Sequence, residues 1–458
     1  MTLVKLISNT SVIFFGLIFL LLINYSSFQQ VATLFCYFLS SIFLKLYLYK
    51  PGSRVDSIVV FYVTFTITIG LGAIVFSYND IFLLHTLISG DELDLILDWY
   101  SFCMSLGLLV FIFSAFFLNS IRMSPFGKYH KIMQEKNSLA VGITFVTVIT
   151  ISLLGVFFEP GYLKSILSMF SGSITGGEIR KNITQSSSAD SFLGKSFVTF
   201  VKYQLLPFIS LVFLLKNRKH KIVMLAVVVM SMLLLSSEFR RGPLLFYTIS
   251  LVVLYITNTV GFKKGAFFKY IYAISILITL MILMTYFLGR SQGLSFGMFF
   301  YELLYRLIFS QSQTGTYVFQ IFPLSMPYQD GFSYLQNLPS FITGIDSGSL
   351  ALEIFKIVHG RDGGASFSPF SEGYANFGII GVCGIAIVLS GMLLSIDHRG
   401  KKMTIQTMEK CFYIYCLTSV IPSLAMGSIV GPVINILVIR LLIFLIRVLN
   451  FSLYSIKN

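Results

Sequence analysis

Two segments of the chain combine residue types that could carry acid–base and anion-binding chemistry. Glu372 lies in "GGASFSPFSEGYANFGIIG" (363–381), where a loop of small polar residues leads into an apolar segment. A carboxylate in such a position can act as a general base if it lies within hydrogen-bond reach of a nucleophile. It can also complement the positive end of a helix that begins there, with Ser371 as the helix cap. On the residues alone both roles stay open.

Arginines mark the second segment, "SSEFRRGPLLFY" (236–247). Arg240 and Arg241 carry planar donor groups, and a Gly-Pro pair after them suits the start of a helix, whose free N–H groups attract phosphate. The alternative is that these guanidinium groups extend to lipid headgroups. We predict a phosphate or pyrophosphate site here, and Arg290 in "FLGRSQGLSF" (287–296) joins it if the fold brings the two together.

Other polar residues near Glu372 complete the candidate site. His359 is the second candidate base because imidazole titrates near neutral pH, although a solvated histidine in a loop is the plain alternative. We expect Arg361, Tyr374 and Asn376 to contact substrate, with core packing as the alternative for Tyr374 and Asn376. The sequence has no nucleotide-binding, metalloprotease or serine-nucleophile motif, so we expect no cofactor and no metal.

The composition indicates which elements position these residues. The chain has 458 residues, of which 56% are hydrophobic and 11% are charged, whereas soluble domains carry about 25% charged residues. We therefore predict an all-α polytopic membrane protein, a single transmembrane domain over 1–458. Segments of about 20 apolar residues predict about twelve spans, near 6–25, 30–49, 57–77, 99–118, 138–158, 194–215, 221–237, 244–260, 267–288, 372–396, 407–428 and 432–450.

The net charge of +14 is a topology signal. Every second predicted loop is basic, which predicts that these loops and both termini are cytoplasmic. We therefore expect a lipid bilayer, and no nucleic acid, as the partner of this basic chain. Two predicted loops on the opposite, outer face are long: 159–193 is rich in Ser and Gly, and 289–371 has short helices of its own, among them an amphipathic helix over 299–315 at the membrane interface.

Both motifs resemble those of a known family. "SSEFRRGPLLF" is similar to the Ser-Arg-Gly-small-Leu-Leu element of bacterial O-antigen polymerases and ligases. "FSPFSEGYANFGIIGV" resembles the Glu, aromatic, Asn-Phe-Gly-Ile-Ile-Gly segment of Wzy-type oligosaccharide repeat-unit polymerases. By this resemblance, Arg241 and Glu372 stand at the family's Arg and Glu.

The resemblance implies a GT-C-like, metal-independent glycosyltransferase of the bacterial inner membrane. Such an enzyme polymerises undecaprenyl-pyrophosphate-linked oligosaccharide repeat units at the outer face of that membrane, and a chain-length regulator is an implied partner. Three alternatives stay open: an O-antigen ligase, a lipid-linked oligosaccharide flippase or transporter, and a non-catalytic scaffold. The unequal loops of the two halves disfavour a transporter built from matching repeats.

Overall fold

The computed structural model describes residues 3–22, 27–48, 56–78, 87–120, 139–157, 195–217, 220–236, 241–259, 297–298, 301, 305, 308–338, 350–360, 367–400 and 407–455. All regular elements within these ranges are helices. Seven of the described helices are long and apolar enough to cross a membrane. The prediction of an all-helical, multi-pass membrane protein is therefore confirmed.

The helices are numbered in chain order. They are α1 (Leu3–Leu22), α2 (Phe28–Leu48), α3 (Ser57–Tyr78), α4 (Asp91–Ser120), α5 (Leu139–Phe157), α6 (Lys195–Phe200, Val201–Leu205 and Leu206–Lys216), α7 (Lys221–Ser236), α8 (Arg241–Thr259), α9 (Ser310–Ile321), α10 (Phe332–Gln336), α11 (Leu350–His359), α12 (Pro369–Gly400), α13 (Thr407–Tyr415, Cys416–Val420 and Ile421–Ala425) and α14 (Val430–Ser455). One turn of π-helix lies inside each of α3, α6 and α13.

Every predicted span overlaps one of these helices except 267–288, which lies outside the described residues. The seven helices that meet the length and hydropathy requirement in the described ranges are α2, α3, α4, α5, α6, α12 and α14. Shorter apolar stretches occur in α1, α7 and α8. Two predictions differ clearly from the structure. Helix α4 begins at Asp91 and includes acidic residues that the hydropathy pattern places before a span at 99. The predicted span 372–396 is interrupted by non-helical backbone at Phe377 and Gly378.

Buried polar clusters mark the two ends of the bundle. At one end, named here the Glu372 end, Trp99 Nε1 of α4 donates to the Tyr374 hydroxyl at 3.1 Å. One residue before this tryptophan, Asp98 accepts hydrogen bonds from three side chains, those of Ser27, Gln30 and Ser77.

At the other end, named the Asp397 end, a second cluster joins three helices. The Asp397 carboxylate of α12 accepts from the backbone N–H of Ser57 at 3.0 Å and from the Tyr413 hydroxyl at 3.1 Å. Asp56 caps α3 by accepting from Val59 N–H at 3.2 Å. The first residue of α3 and an early residue of α13 therefore contact the last part of α12. It follows that α12 runs towards the Asp397 end, whereas α3 and α13 run away from it.

Helix α9 is buried among membrane-spanning helices. Nine of its twelve residues are buried, and Ser312 Oγ donates to the Ile69 carbonyl of the π-turn in α3 at 2.6 Å. The prediction of an amphipathic helix at the membrane interface over 299–315 is therefore wrong for residues 310–315. Four of its polar residues are buried, namely Ser312, Gln313, Thr316 and Gln320. The carbonyl that Ser312 binds lies in the π-turn, an irregularity that interrupts the ordinary helical bonding pattern.

Candidate functional site

Helix α12 contains a sharp bend that divides it into a short arm (369–376) and a long arm (379–400). The backbone departs from helical angles at the junction, where Gly378 has φ of +60°, a value that favours glycine. The arms pack backbone to backbone, because a Cβ atom on Gly381 would lie 2.0 Å from the carbonyl oxygen of Gly373. The sequence therefore places Glu372 on a short helix that folds back beside the first turns of the long arm.

The short arm begins earlier than the sequence predicts. Its cap is Ser368, whose Oγ accepts from Ser371 N–H at 3.0 Å, and Pro369 is its first helical residue. The prediction that Ser371 caps this helix is therefore wrong, because Ser371 is already inside it. Glu372 remains in the first turn, but its carboxylate binds other segments of the chain.

Three donors from two distant segments converge on the Glu372 carboxylate. Asn337 Nδ2, just after α10, donates to Oε1 at 2.5 Å, and Ser428 Oγ, just before α14, donates to the same oxygen at 2.9 Å. The backbone N–H of Ile429 donates to Oε2 at 3.2 Å. Both oxygens are therefore held in place, a firm orientation for a group that transfers a proton.

The carboxylate is covered from all sides in this conformation. The exposed fraction of Glu372 is 0%, and α10 lies over it with Asn337 in contact. Burial raises the pKa of the nearby Tyr334 phenol above its usual range, and the Glu372 carboxylate raises it further. Tyr334 therefore stays protonated at neutral pH.

Tyr374 and Asn376 are engaged in packing and hydrogen bonds. The Tyr374 ring stacks on Phe319 with centroids 3.8 Å apart and is 5% exposed. The Asn376 side chain accepts from Gly331 N–H at 3.0 Å and donates to Ser333 Oγ at 2.6 Å. The arrangement favours the packing alternative for both, with Asn376 as the clamp that holds α10 on the short arm.

Helices α8 and α13 run antiparallel, which shows at which end of the bundle α8 begins. Near the Asp397 end, Lys410 Nζ donates to the Thr257 carbonyl at 3.4 Å, and further along, Ser250 Oγ and Thr418 Oγ1 are 2.5 Å apart. From that contact, the first residue of α8, Arg241, is about 13 Å towards the Glu372 end at 1.5 Å per residue. The same rise takes α13 towards Ser428 and the Glu372 carboxylate. The helix start at Arg241 and Glu372 therefore lie at the same end of the bundle.

Several predicted site residues have no described side chain. Arg240, Arg290 and Arg361 lie outside the described residues, and for Arg241 the description covers only the backbone at the start of α8. His359 ends α11, where its ring packs against Phe355 at 4.3 Å and Tyr317 at 5.9 Å between centroids. Among the described residues, no hydrogen bond or ring contact joins His359 to Glu372.

The structure adds polar residues that the sequence pattern did not single out. Asn337 and Ser428 contact Glu372 but are 35 and 56 residues away from it in the chain, so no local motif contains them. Asp98 is a second buried carboxylate at the Glu372 end, 8% exposed. Within the ranges that the structure describes, no three His, Cys, Asp or Glu side chains form a group that could hold a metal ion.

Comparisons of the chain with protein-family models, with curated proteins and with solved structures return no match. The chemical assignment of the site therefore depends on its own geometry and on the two sequence motifs.

Proposed function

We propose that this protein is a membrane glycosyltransferase that polymerises undecaprenyl-pyrophosphate-linked oligosaccharide repeat units into O-antigen or capsular-type polysaccharide. The observation that carries the proposal is that the oriented Glu372 carboxylate and the start of α8 at Arg241 lie at one end of the bundle. Transfer of a glycan from a lipid pyrophosphate needs a base and an anion site on the same face of the membrane. The resemblance of "FSPFSEGYANFGIIGV" to Wzy-type polymerases supports the same assignment.

The proposal includes a setting in the bacterial inner membrane, with about twelve spans in a GT-C-like bundle. The Glu372 end faces the periplasm, with 159–193 and 289–371 as periplasmic loops. Both termini are cytoplasmic. The proposed span 267–288 would take the chain from the Asp397 end, where α8 ends, back to the Glu372 end, where α12 begins.

In the proposed reaction, the acceptor is a sugar hydroxyl of a fresh lipid-linked unit. Its proton passes to Glu372 while its oxygen bonds to the anomeric carbon of the growing glycan. The bond from that carbon to the pyrophosphate oxygen breaks, and undecaprenyl pyrophosphate leaves with the electron pair. The N–H groups at the start of α8, with Arg240, Arg241 and Arg290, stabilise the charge on this leaving group.

Asn337 occupies the place that the acceptor needs. A hydroxyl that gives its proton to Glu372 must come within about 2.6–3.2 Å of a carboxylate oxygen, and the Asn337 amide already lies at 2.5 Å from Oε1. The buried carboxylate therefore belongs to a closed state, and the acceptor hydroxyl replaces the Asn337 amide when α10 moves. His359 remains the second candidate base, and Arg361 a candidate for sugar binding.

Deletion of the gene in its host, followed by gel analysis of the glycan, tests this function. We expect deletion to abolish long glycan while single lipid-linked units accumulate. Complementation with Arg241→Ala or Glu372→Gln should reproduce that defect, and Arg241→Lys should rescue only partly because an ammonium group lacks the planar fork. The matched control is Asp98→Asn, which changes a buried carboxylate at the same end and should leave glycan length intact.

Other outcomes would contradict the assignment as a polymerase. Lipid-linked polymer that is not attached to lipid A would identify the ligase. Units that fail to reach the outer leaflet would identify the flippase. Normal glycan in both the Arg241 and the Glu372 variants would remove the basis of the proposed mechanism.

A further inference from the structure

A groove of about 220 Å³ lies between α12, α13 and α14 and extends along α14 from Val433 to Arg440. Glu372 and its hydrogen-bond partners do not line it. Its walls are mainly apolar and include Met392, Ile396, Phe412, Val433, Ile436 and Leu437. Leu437 is 62% exposed, so the groove opens to the surface that faces lipid.

The end of the groove carries positive charge. Arg440 lines the groove, and its guanidinium carbon lies 3.8 Å from the ring centroid of Phe412. Its Nη1 is 2.5 Å from Glu409 Oε2, and Nη2 of Arg447 is 2.9 Å from the other oxygen of the same carboxylate. Two guanidinium groups thus share one carboxylate, and the three side chains together carry a net charge of +1.

The groove and the two arginines follow one face of α14. Val433 and Arg440 are seven residues apart, which is about 10 Å along a helix, and Arg447 is a further 10 Å or so along the same face. Both guanidinium groups contact Glu409, which is one helical turn before Tyr413, and the Tyr413 hydroxyl donates to Asp397. A phosphate bound to both guanidinium groups therefore lies near the Asp397 end, and its acyl chain would extend along the groove towards Val433.

We propose that this groove binds one anionic phospholipid from the leaflet at the Asp397 end. The acyl chain lies along Val433 and Leu437, and the phosphate accepts hydrogen bonds from Arg440 and Arg447. The net positive charge selects an anionic over a zwitterionic headgroup, since guanidinium groups form strong paired bonds with phosphate. This site does not depend on the glycosyltransferase assignment.

Native mass spectrometry of the purified full-length protein tests the proposal. The protein is mixed with phosphatidylglycerol or with phosphatidylcholine in detergent micelles, and bound lipids are counted. We expect one phosphatidylglycerol to be retained at least tenfold better than phosphatidylcholine. Leu437→Trp fills the groove and should abolish this retention, whereas Leu441→Trp, on the same helix at 56% exposure outside the groove, should leave it unchanged.

Two further variants complete the test. Arg447→Gln leaves the Arg440–Glu409 pair in place, and we expect it to reduce the preference for phosphatidylglycerol at least threefold. If Leu437→Trp folds poorly, Val433→Phe fills the same groove and has the same expected result. Equal retention of the two lipids by the wild type, undiminished retention in the filled variants, or a dimer that Leu437→Trp dissociates would overturn the proposal.

Discussion

The Glu372 carboxylate joins three segments of the chain at one buried point. The Asn337 amide nitrogen and the Ile429 backbone N–H act there as donors, and Ser428 donates its hydroxyl. Loss of the carboxylate would leave buried donors without acceptors, which destabilises a protein more than loss of a surface hydrogen bond. Glu372 therefore contributes to folding whatever its chemistry, and a test of its chemistry has to separate the two.

Substitutions of Glu372 by Ala and by Gln separate its contribution to folding from its role as a base. We expect Glu372→Ala to lower the free energy of unfolding by about 3 kcal/mol or more, since each unsatisfied buried donor costs about 1–3 kcal/mol. Glu372→Gln should lower it by about 1 kcal/mol or less. Its amide oxygen can accept from Ile429 N–H, and the Asn337 amide can rotate to face the new NH₂ group.

Denaturant or thermal unfolding of the two variants in detergent provides the measurement. The glycan assay on Glu372→Gln then reports the loss of basicity in a folded protein. Equal destabilisation by Ala and Gln would contradict this account of the hydrogen bonds.

The sequence locates Glu372 but not its partners. A carboxylate at the junction of a polar loop and an apolar segment can be recognised from residue types alone. The cap is misplaced by three residues, because Ser368 and Ser371 both precede the apolar run and only the backbone shows which one accepts. Asn337 and Ser428 could not be predicted, since contacts across 35 and 56 residues arise from tertiary packing rather than from a local pattern.

Helix α10 and the residue after it, Asn337, cover the Glu372 carboxylate. The contact of this segment with the short arm includes three hydrogen bonds. Asn376 bonds Gly331 and Ser333, and Asn337 bonds Glu372.

We expect Asn337→Ala to expose the Glu372 carboxylate and to raise its rate of modification by dicyclohexylcarbodiimide, a hydrophobic carboxyl reagent, at least threefold. Peptide mass spectrometry measures the rate. Asp98, in the same sample, is the internal control and should react at an unchanged rate, and an unchanged rate at Glu372 would mean that Asn337 does not cover it.

The crossing of the two arms of α12 depends on glycine at a single point. A Cβ atom on Gly381 would meet the Gly373 carbonyl oxygen at 2.0 Å, and that oxygen is backbone and cannot rotate away. We expect Gly381→Ala to displace the short arm, to lower the melting temperature and to abolish long glycan. Gly384→Ala is the matched control on the same arm, because its Cβ would meet no atom within 4 Å, and alanine is favoured over glycine in helices by about 1 kcal/mol. Similar melting temperatures for the two variants would contradict a tight crossing.

The hydropathy pattern predicts most of the long helices, but it does not predict the bend in α12. Long apolar segments have few alternatives to a helix in a membrane, because backbone polar groups must be satisfied within the segment. The bend at Gly378 interrupts a segment that reads as a continuous apolar helix. Glycines in this segment are compatible with close helix packing as well as with a turn, and the sequence does not show which of the two applies. The tertiary neighbours decide it, among them Tyr328, whose hydroxyl oxygen lies 3.1 Å from the position of a Cβ on Gly378.

The two polar clusters give the bundle a direction. α2 starts at the Glu372 end, where Gln30 contacts Asp98, and α1 precedes it with Phe15 stacked on Tyr37. The described chain therefore starts and finishes at the Asp397 end, since α14 also runs away from Ile429 towards it. Arg440, Arg447 and Lys410 lie in that half, which agrees with the basic loops of the sequence and predicts that it faces the cytoplasm.

Cysteine labelling in intact cells tests that orientation independently of any enzymatic assay. Glu92 is exposed in the first turn of α4 at the Glu372 end, and His220 is exposed beyond the end of α6 at the Asp397 end. We expect Glu92→Cys to react with a membrane-impermeant maleimide from outside once the outer membrane is permeabilised, and His220→Cys to react only after the inner membrane is opened. Four of the five native cysteines are buried, so we expect them to react slowly with the maleimide. The unsubstituted protein measures the labelling that these native cysteines contribute. The reverse pattern would place Glu372 on the cytoplasmic face, where no periplasmic lipid-linked acceptor could reach it, and the proposed polymerase would fail on topology alone.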